Sequence, residues 1–567
     1  MATRVPAAFI VPLVYSDFYG SKPTRDELTA TVRAMNWQVV VKLSAGIAGI
    51  KWMQGVETEK LQRDLVKEFT TNLLYGPAIA LKLSVEPHRR LFTRESLLAV
   101  LRLAVVETSV GVDRPDYPDL FTRSILMVNE LLADELNPAA PSGSSTDLLA
   151  SELRSVALQI PNPHELLGRT WAFFDWSDGA EAVASKNRLD VSSDLQRFTG
   201  LSLLENSAGA YAVLSRFATL NTWDDVEKQG VAFDIESWLA EFADQRALRQ
   251  WFSSRTIPIS EAKAEWASEP SLSAVGARIL WQRPVVEDDD KVIFVPSPVI
   301  VASSMGDGAY YTLMDGYREA AGTDPRKRRE AVERFARFYG EFFEDYVVGL
   351  IRNGYDGRSE ARVSSEVEYK QGLLSSDAVV SEADDILFFE VVAKRMSFVD
   401  SIIHLDEKAI GRDLEAGVIK KARQLHRNIE DYRAGVLFPE LPRPRGQRIF
   451  PIVVAPNEWP RITVIDALLP RLARDEGLLV NAEPLELLDI GEVEWLETAL
   501  QTGLRLGALL DRKNNFRPQH RHMSLHNYMY YGEPGTVPEV TAKVRDRGAE
   551  VAKYIIELVK TWHVKSG

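Results

Sequence analysis

The seven residues "ILFFEVV", 386 to 392, constrain the fold more than any other stretch of the chain. Apolar side chains in consecutive positions fill both faces of a strand, and such a strand lies inside a sheet covered on each side. Glu390 stands within that run, and a carboxylate buried there needs a partner. "SDAVVS" (376–381) precedes it. If a tight turn lies at Ala383 and Asp384, pairing across it sets Asp377 directly opposite Glu390, with Cβ atoms about 5 Å apart. Two carboxylates that close repel unless a cation lies between them, and hard oxygen ligands suit magnesium or manganese. The alternative, Asp377 ending a turn and Glu390 on a solvated face, conflicts with the apolar neighbours of Glu390.

The elements around this hairpin are read from similar signals. "GTDPRKRREAVERFARFYGEFFEDYVVGLIRNGYDG" offers Asp324 as a cap, Pro325 at the first helical position and Gly354 as a stop. Phe335, Phe338, Phe342, Tyr346 and Leu350 form its apolar stripe. Strand-like "ARVSSEVEY", "SDAVVS" and "ILFFEVVAK" come next, then a long helix near 416–433 and the strand "RIFPIVVAP". The expected order is helix, three strands, helix, strand.

With that order and that acidic pair, residues 325–460 resemble the PD-(D/E)xK nuclease superfamily, whose members share an αβββαβ core. The family's aspartate matches Asp377, in "SSD" where "PD" is usual, and its second acid matches Glu390. The acid often found on the first helix matches Glu344, and a glutamine on the helix after the meander matches Gln424. The resemblance implies Mg2+ or Mn2+ held by Glu344, Asp377 and Glu390, and hydrolysis of nucleic-acid phosphodiesters, with DNA as the expected substrate. It also implies a place in prokaryotic genome defence, antiviral defence included, or in DNA processing.

The motif lysine is missing, because Val392 stands two residues after Glu390. Strand alternation puts residues 390, 392 and 394 on one face, so Lys394 points the right way from about 6.6 Å further on. A lysine side chain is of similar length, which makes Lys394 the expected catalytic lysine beside Asp377, Glu390 and Gln424. Lys420 or Lys421 on the following helix could take the role instead, and Lys394 could be an ordinary strand-end lysine. A nuclease-like scaffold that binds nucleic acid or a partner protein without cutting is therefore the alternative function.

The net charge of −14 argues against a protein that coats DNA nonspecifically, so nucleic-acid binding needs a local basic patch. One lies between Val418 and Arg448: Lys420, Lys421, Arg423, Arg427, Arg433, Arg443, Arg445 and Arg448, against three acids. Lys420, Lys421, Arg423 and Arg427 are its expected nucleic-acid contacts. The absence of cysteine excludes disulfides, thiolate zinc sites and cysteine nucleophiles. No apolar run is long enough to span a bilayer and no secretory signal opens the chain, so a cytoplasmic protein is expected.

The reading is an α/β multidomain protein with a helical N-terminal half, an αβββαβ core and a helix-rich C-terminal region. Residues 1–136 form a helical domain, 137–147 ("NPAAPSGSSTD") a linker and 148–280 a second helical region. Short strands and a connector fill 281–324, the nuclease-like domain 325–460 and the C-terminal region 461–567. The helical half is a candidate surface for a partner protein or a second copy. His520, His522 and His526 cluster without a familiar zinc spacing, and no Walker, GxSxG or HExxH motif is present.

Overall fold

In a computed structural model of the chain, helix and sheet are mixed. The structure describes residues 11–53, 75–86, 89–108, 116–136, 163–395, 407–456, 476–516, 524–525, 528–529 and 542–563, leaving out positions 218, 241, 243–244, 270, 273–276, 278, 305–306 and 445. The expected linker 137–147, most of the expected helix at 60–76, Arg445 and the three clustered histidines lie outside the described residues. Among the described residues no helix is long and apolar enough to cross a membrane.

The elements that build and brace the site are α1 (Pro163–Phe174), α2 (Ser177–Ala182), α3 (Pro325–Gly354), β1 (Ala361–Ser365), β2 (Ala378–Glu382), β3 (Asp385–Val391), α4 (Lys420–Arg433), β4 (Arg448–Ala455), β5 (Glu486–Asp489), α5 (Ile490–Gln501) and α6 (Leu506–Asn515). The five strands make one sheet in the order β5-β4-β3-β2-β1. β1, β2 and β3 pair antiparallel, whereas β3, β4 and β5 run parallel. The hairpin register is the expected one: Ala378 opposes Phe389 and Glu382 opposes Asp385. Ala383 takes a left-handed backbone, φ 52°, as the first residue of the two-residue turn.

All seven residues of β3 are buried, because the sheet is covered on both faces. Leu387, Phe389 and Val391 join Phe338, Phe342 and Tyr346 of α3 in one core. Ile386, Phe388 and Val392 join Leu425, Ile429 and Tyr432 of α4 in another. Burying each such large side chain stabilises the fold by roughly 1.5–3 kcal/mol. Glu390, by strand alternation, belongs to the α4 side.

Several expectations needed correction. "PLELLDIGEVEW", expected to be helical, begins with the buried strand β5. Asp489 then caps α5: its Oδ1 accepts from Glu492 N (2.8 Å), and Glu492 Oε2 accepts from Asp489 N (2.9 Å). "VIFVPSPVIVAS" yields one strand, Val292–Phe294, and then a helix, Pro298–Ser303, entered through a proline. That strand belongs to a four-stranded sheet whose Ala232–Asp234 and Thr256–Pro258 come from the expected helical region. The run 27–43 breaks into Arg25–Arg33 and Trp37–Met53, with Asn36 Oδ1 accepting from Gln38 N at the restart (2.9 Å).

The cores also divide the chain unevenly. Helices from 13–132 pack with residues between 201 and 302. Phe173, Trp176, Val183 and Leu195 instead pack with α3, the sheet and α5. Trp176 fits where no side chain stands on its neighbours: a Cβ on Gly179 would come within 2.1 Å of it and one on Gly349 within 2.4 Å.

Candidate functional site

Asp377 immediately precedes β2, and the hairpin register sets it opposite Glu390, near the end of β3. Its Oδ2 accepts from Val391 N at 2.5 Å, which fixes the carboxylate against the strand. Asp377 is 4% exposed and Glu390 0%. Between them comes a lysine. Lys421 Nζ donates to Glu390 Oε2 at 2.7 Å and lies 3.4 Å from Asp377 Oδ2.

A local irregularity helps aim that lysine. The helix Glu407–Leu414 passes through a π-helical turn, Glu415–Ile419, before α4 begins. One extra residue in a turn rotates the rest of the helix by about 100° around the axis. After it, Lys421, Ala422, Leu425, Asn428 and Ile429 lie toward the sheet, while Lys420 is exposed. Asn428, 0% exposed, steadies the second acid: its Nδ2 is 3.4 Å from Glu390 Oε1 and 3.1 Å from Ser376 Oγ. Tyr369 hydroxyl lies 3.2 Å from Asn428 Oδ1 and 2.6 Å from Asp431 Oδ2, where Lys370 also pairs.

The cluster carries more carboxyls than cations. Burial first, and then the charge of Asp377, pushes Glu390 up to about 8. Glu344 on α3 is likewise pushed up to about 8 by burial and by Asp377. Burial raises Asp377 as well, against the lowering effects of Lys421 and Val391 N–H. Glu366, just past β1, is raised by burial and then by Asp377. Burial opposes the charge on Lys421, but Glu390 and Asp377 outweigh it and hold the ammonium protonated.

Asp377 and Glu390 therefore share one cation position, and their oxygen chemistry suits a hard divalent ion. Glu344 and Glu366 also feel the charge of Asp377. Among the described residues, no three carboxylates or histidines converge as a finished metal-ligand set.

The residues expected from sequence are only partly brought together. Lys394 pairs with Asp413 at 3.0 Å, while it is Lys421 that pairs with Glu390 and Asp377. The strand ends at Val391, so the alternation that aimed Lys394 at Glu390 stops before reaching it. Gln424, less than one turn after Lys421, is half-buried and makes no side-chain hydrogen bond to a described residue. The supporting amide is Asn428, seven residues and so two turns after Lys421, a spacing that helical periodicity alone makes legible. Glu366 had no such signal.

Much of the basic run is engaged elsewhere. Arg423 pairs with Glu415 and Glu476, and Arg427 Nη2 donates to Leu374 O at 3.3 Å. Arg443 donates to the carbonyls of Tyr432, Leu437 and Phe438, closing the loop after α4. Arg448 pairs with Asp385 and Asp511 at the far end of the sheet.

Residues outside the sheet hold the helix that carries Glu344. Trp176 Nε1 donates to Asp345 Oδ2 at 2.9 Å, and Asn187 Nδ2 donates to Glu341 Oε1 at 2.5 Å. No family model matches the chain, and no curated protein or solved structure does either.

Proposed function

We propose that this chain is a divalent-metal-dependent nuclease that hydrolyses phosphodiesters of nucleic acid, DNA in the first instance, with a PD-(D/E)xK-like unit at 325–460. The observation that carries the reading is the single cation position shared by Asp377 and Glu390 and taken by the Lys421 ammonium. The order α3, β1–β2–β3, α4, β4 supports it, since it is the order in which that superfamily places its acids.

In this reading Asp377 and Glu390 hold Mg2+ or Mn2+, and Glu344, which feels the charge of Asp377, is the acid that would move in as a third ligand. The bound ion supplies Lewis acidity and a more acidic water. Lys421 replaces Lys394 as the lysine that orients the attacking water and offsets charge on the phosphate. Asn428 keeps Glu390 in place, and Gln424 is free to face substrate. Lys420 and Arg427 are the basic contacts nearest the acids along α4, whereas Arg423 must first leave two carboxylates. A cytoplasmic role in prokaryotic genome defence or DNA processing follows from the resemblance.

One observation favours a second reading, a scaffold that binds without cutting. Lys421 already neutralises part of the buried pair, so the pair does not strictly need a metal to persist. Incubation of the full chain with labelled DNA and RNA, in Mg2+, Mn2+ or chelator, separates the two. Metal-dependent cleavage that is lost in Asp377→Ala and Glu390→Ala supports the nuclease. Retention of substrate without cleavage in any metal supports the scaffold.

A further inference from the structure

The Lys421 ammonium lies where a cation held by both carboxylates would have to lie. Its Nζ is 2.7 Å from Glu390 Oε2 and 3.4 Å from Asp377 Oδ2, and its side chain is 20% exposed. A small dication shared by the same two oxygens sits within about 2.1 Å of each. The ammonium and that ion would then be in contact, and like charges at such a distance inside a protein repel strongly. Only one of them fits at a time.

We propose that Lys421 is the resident counter-ion of the metal-free site and that a divalent cation enters by displacing its ammonium. The lysine then sets metal affinity in addition to any part it plays in chemistry. This rests on the reading of Asp377 and Glu390 as metal ligands, and it concerns what guards the pair before the ion arrives.

Two features allow the exchange. Lys421 is the second residue of α4, two positions after the π-helical turn ends, with a side chain that keeps some access to solvent. Glu366, exposed just past β1, lies close enough to be affected by the Lys421 charge, and it is the partner toward which the displaced ammonium would swing. The ion adds two positive charges to a cluster that holds more carboxyls than cations, so the ammonium can stay within it after it is displaced. The ammonium on both carboxylates also explains how the two acids can be buried side by side.

The test is Mn2+ binding to the full chain, followed by electron paramagnetic resonance and calorimetry, for wild type, Lys421→Met and Lys421→Arg. Displacement predicts that Lys421→Met binds Mn2+ about ten- to a hundredfold more tightly than wild type. Lys421→Arg, which keeps the charge, should bind no more tightly than wild type. A second measurement needs no variant to fold: acylation of Lys421 in wild type, read by peptide mass spectrometry, should rise when saturating Mn2+ is added. Equal affinities in wild type and Lys421→Met, with labelling unchanged by Mn2+, would overturn the displacement while leaving a metal site in place. No Mn2+ binding by either protein, with labelling again unchanged, would overturn the underlying reading of the site.

Discussion

Lys421 Nζ stands 2.7 Å from Glu390 Oε2, across thirty-one residues of chain. The lysine that faces the buried acid thus comes from the helix packed on the strand, while Val392, just past the end of β3, packs into the core on that face. A valine there adds to the α4-side core, and the positive charge arrives from above.

That arrangement separates two lysines by function. Lys421→Ala should abolish metal-dependent cleavage, whereas Lys394→Ala should stay within about twofold of wild type, because Lys394 pairs with Asp413. Single-turnover rates on an end-labelled duplex measure both. A collapse in Lys394→Ala with normal rates in Lys421→Ala would reverse the assignment.

Asn428 is a sensitive point for stability. Its buried amide contacts Glu390, Ser376 and Tyr369. Asn428→Ala should lower unfolding stability by about 1–3 kcal/mol, the cost of leaving buried polar partners unmet. Urea denaturation in chelator is the measurement. Asn428→Asp should cost more, since it sets another carboxylate beside Glu390.

At the opposite end of the sheet a second buried acid makes a pH prediction. Glu382, 0% exposed, accepts from Gly507 N at 2.9 Å and Leu506 N at 3.2 Å, with Arg358 at 3.8 Å. Burial still outweighs these lowering contacts and raises its pKa above the ordinary 4.5. An acid that holds its proton more tightly when folded contributes stability fully below its unfolded pKa and loses that contribution as pH rises through the folded one. Glu382→Gln should therefore lose less stability than wild type as pH climbs from 4.5. Denaturation at stepped pH reads the difference, and identical slopes would remove Glu382 as the cause.

Trp176 ties the helical segment to the helix bearing Glu344. Trp176→Ala should destabilise by about 3–5 kcal/mol through the cavity it leaves and the lost bond to Asp345. Gly349→Ala, whose Cβ would press on the indole, should also destabilise. Thermal unfolding measures both, and a change within experimental error for Trp176→Ala would show that the indole is not a wedge.

The long helix at 325–354, the hairpin register and the facing of Asp377 and Glu390 were legible because they depend on local rules: alternation, a two-residue turn, and a capped amphipathic helix. The mixed helix and sheet content was legible for the same reason. Lys421 was visible only as an alternative, because its aim depends on a π-helical turn that leaves no clear mark in "EAGVIKK". β5 was missed because "LELLD" is too short and too close to a helix for its periodicity to be told apart. The engagement of Arg443 and Arg448 was hidden too, since a count of charges does not say which carbonyls and carboxylates surround them.

The most direct test of the central claim is the rate of Mn2+-dependent cleavage of a labelled DNA duplex by wild type beside Asp377→Asn and Glu390→Gln. These substitutions keep shape and remove charge from the shared cation position. The account predicts cleavage by wild type that stops in chelator and falls about a hundredfold or more in each variant. Cleavage at the wild-type rate in either variant would contradict it.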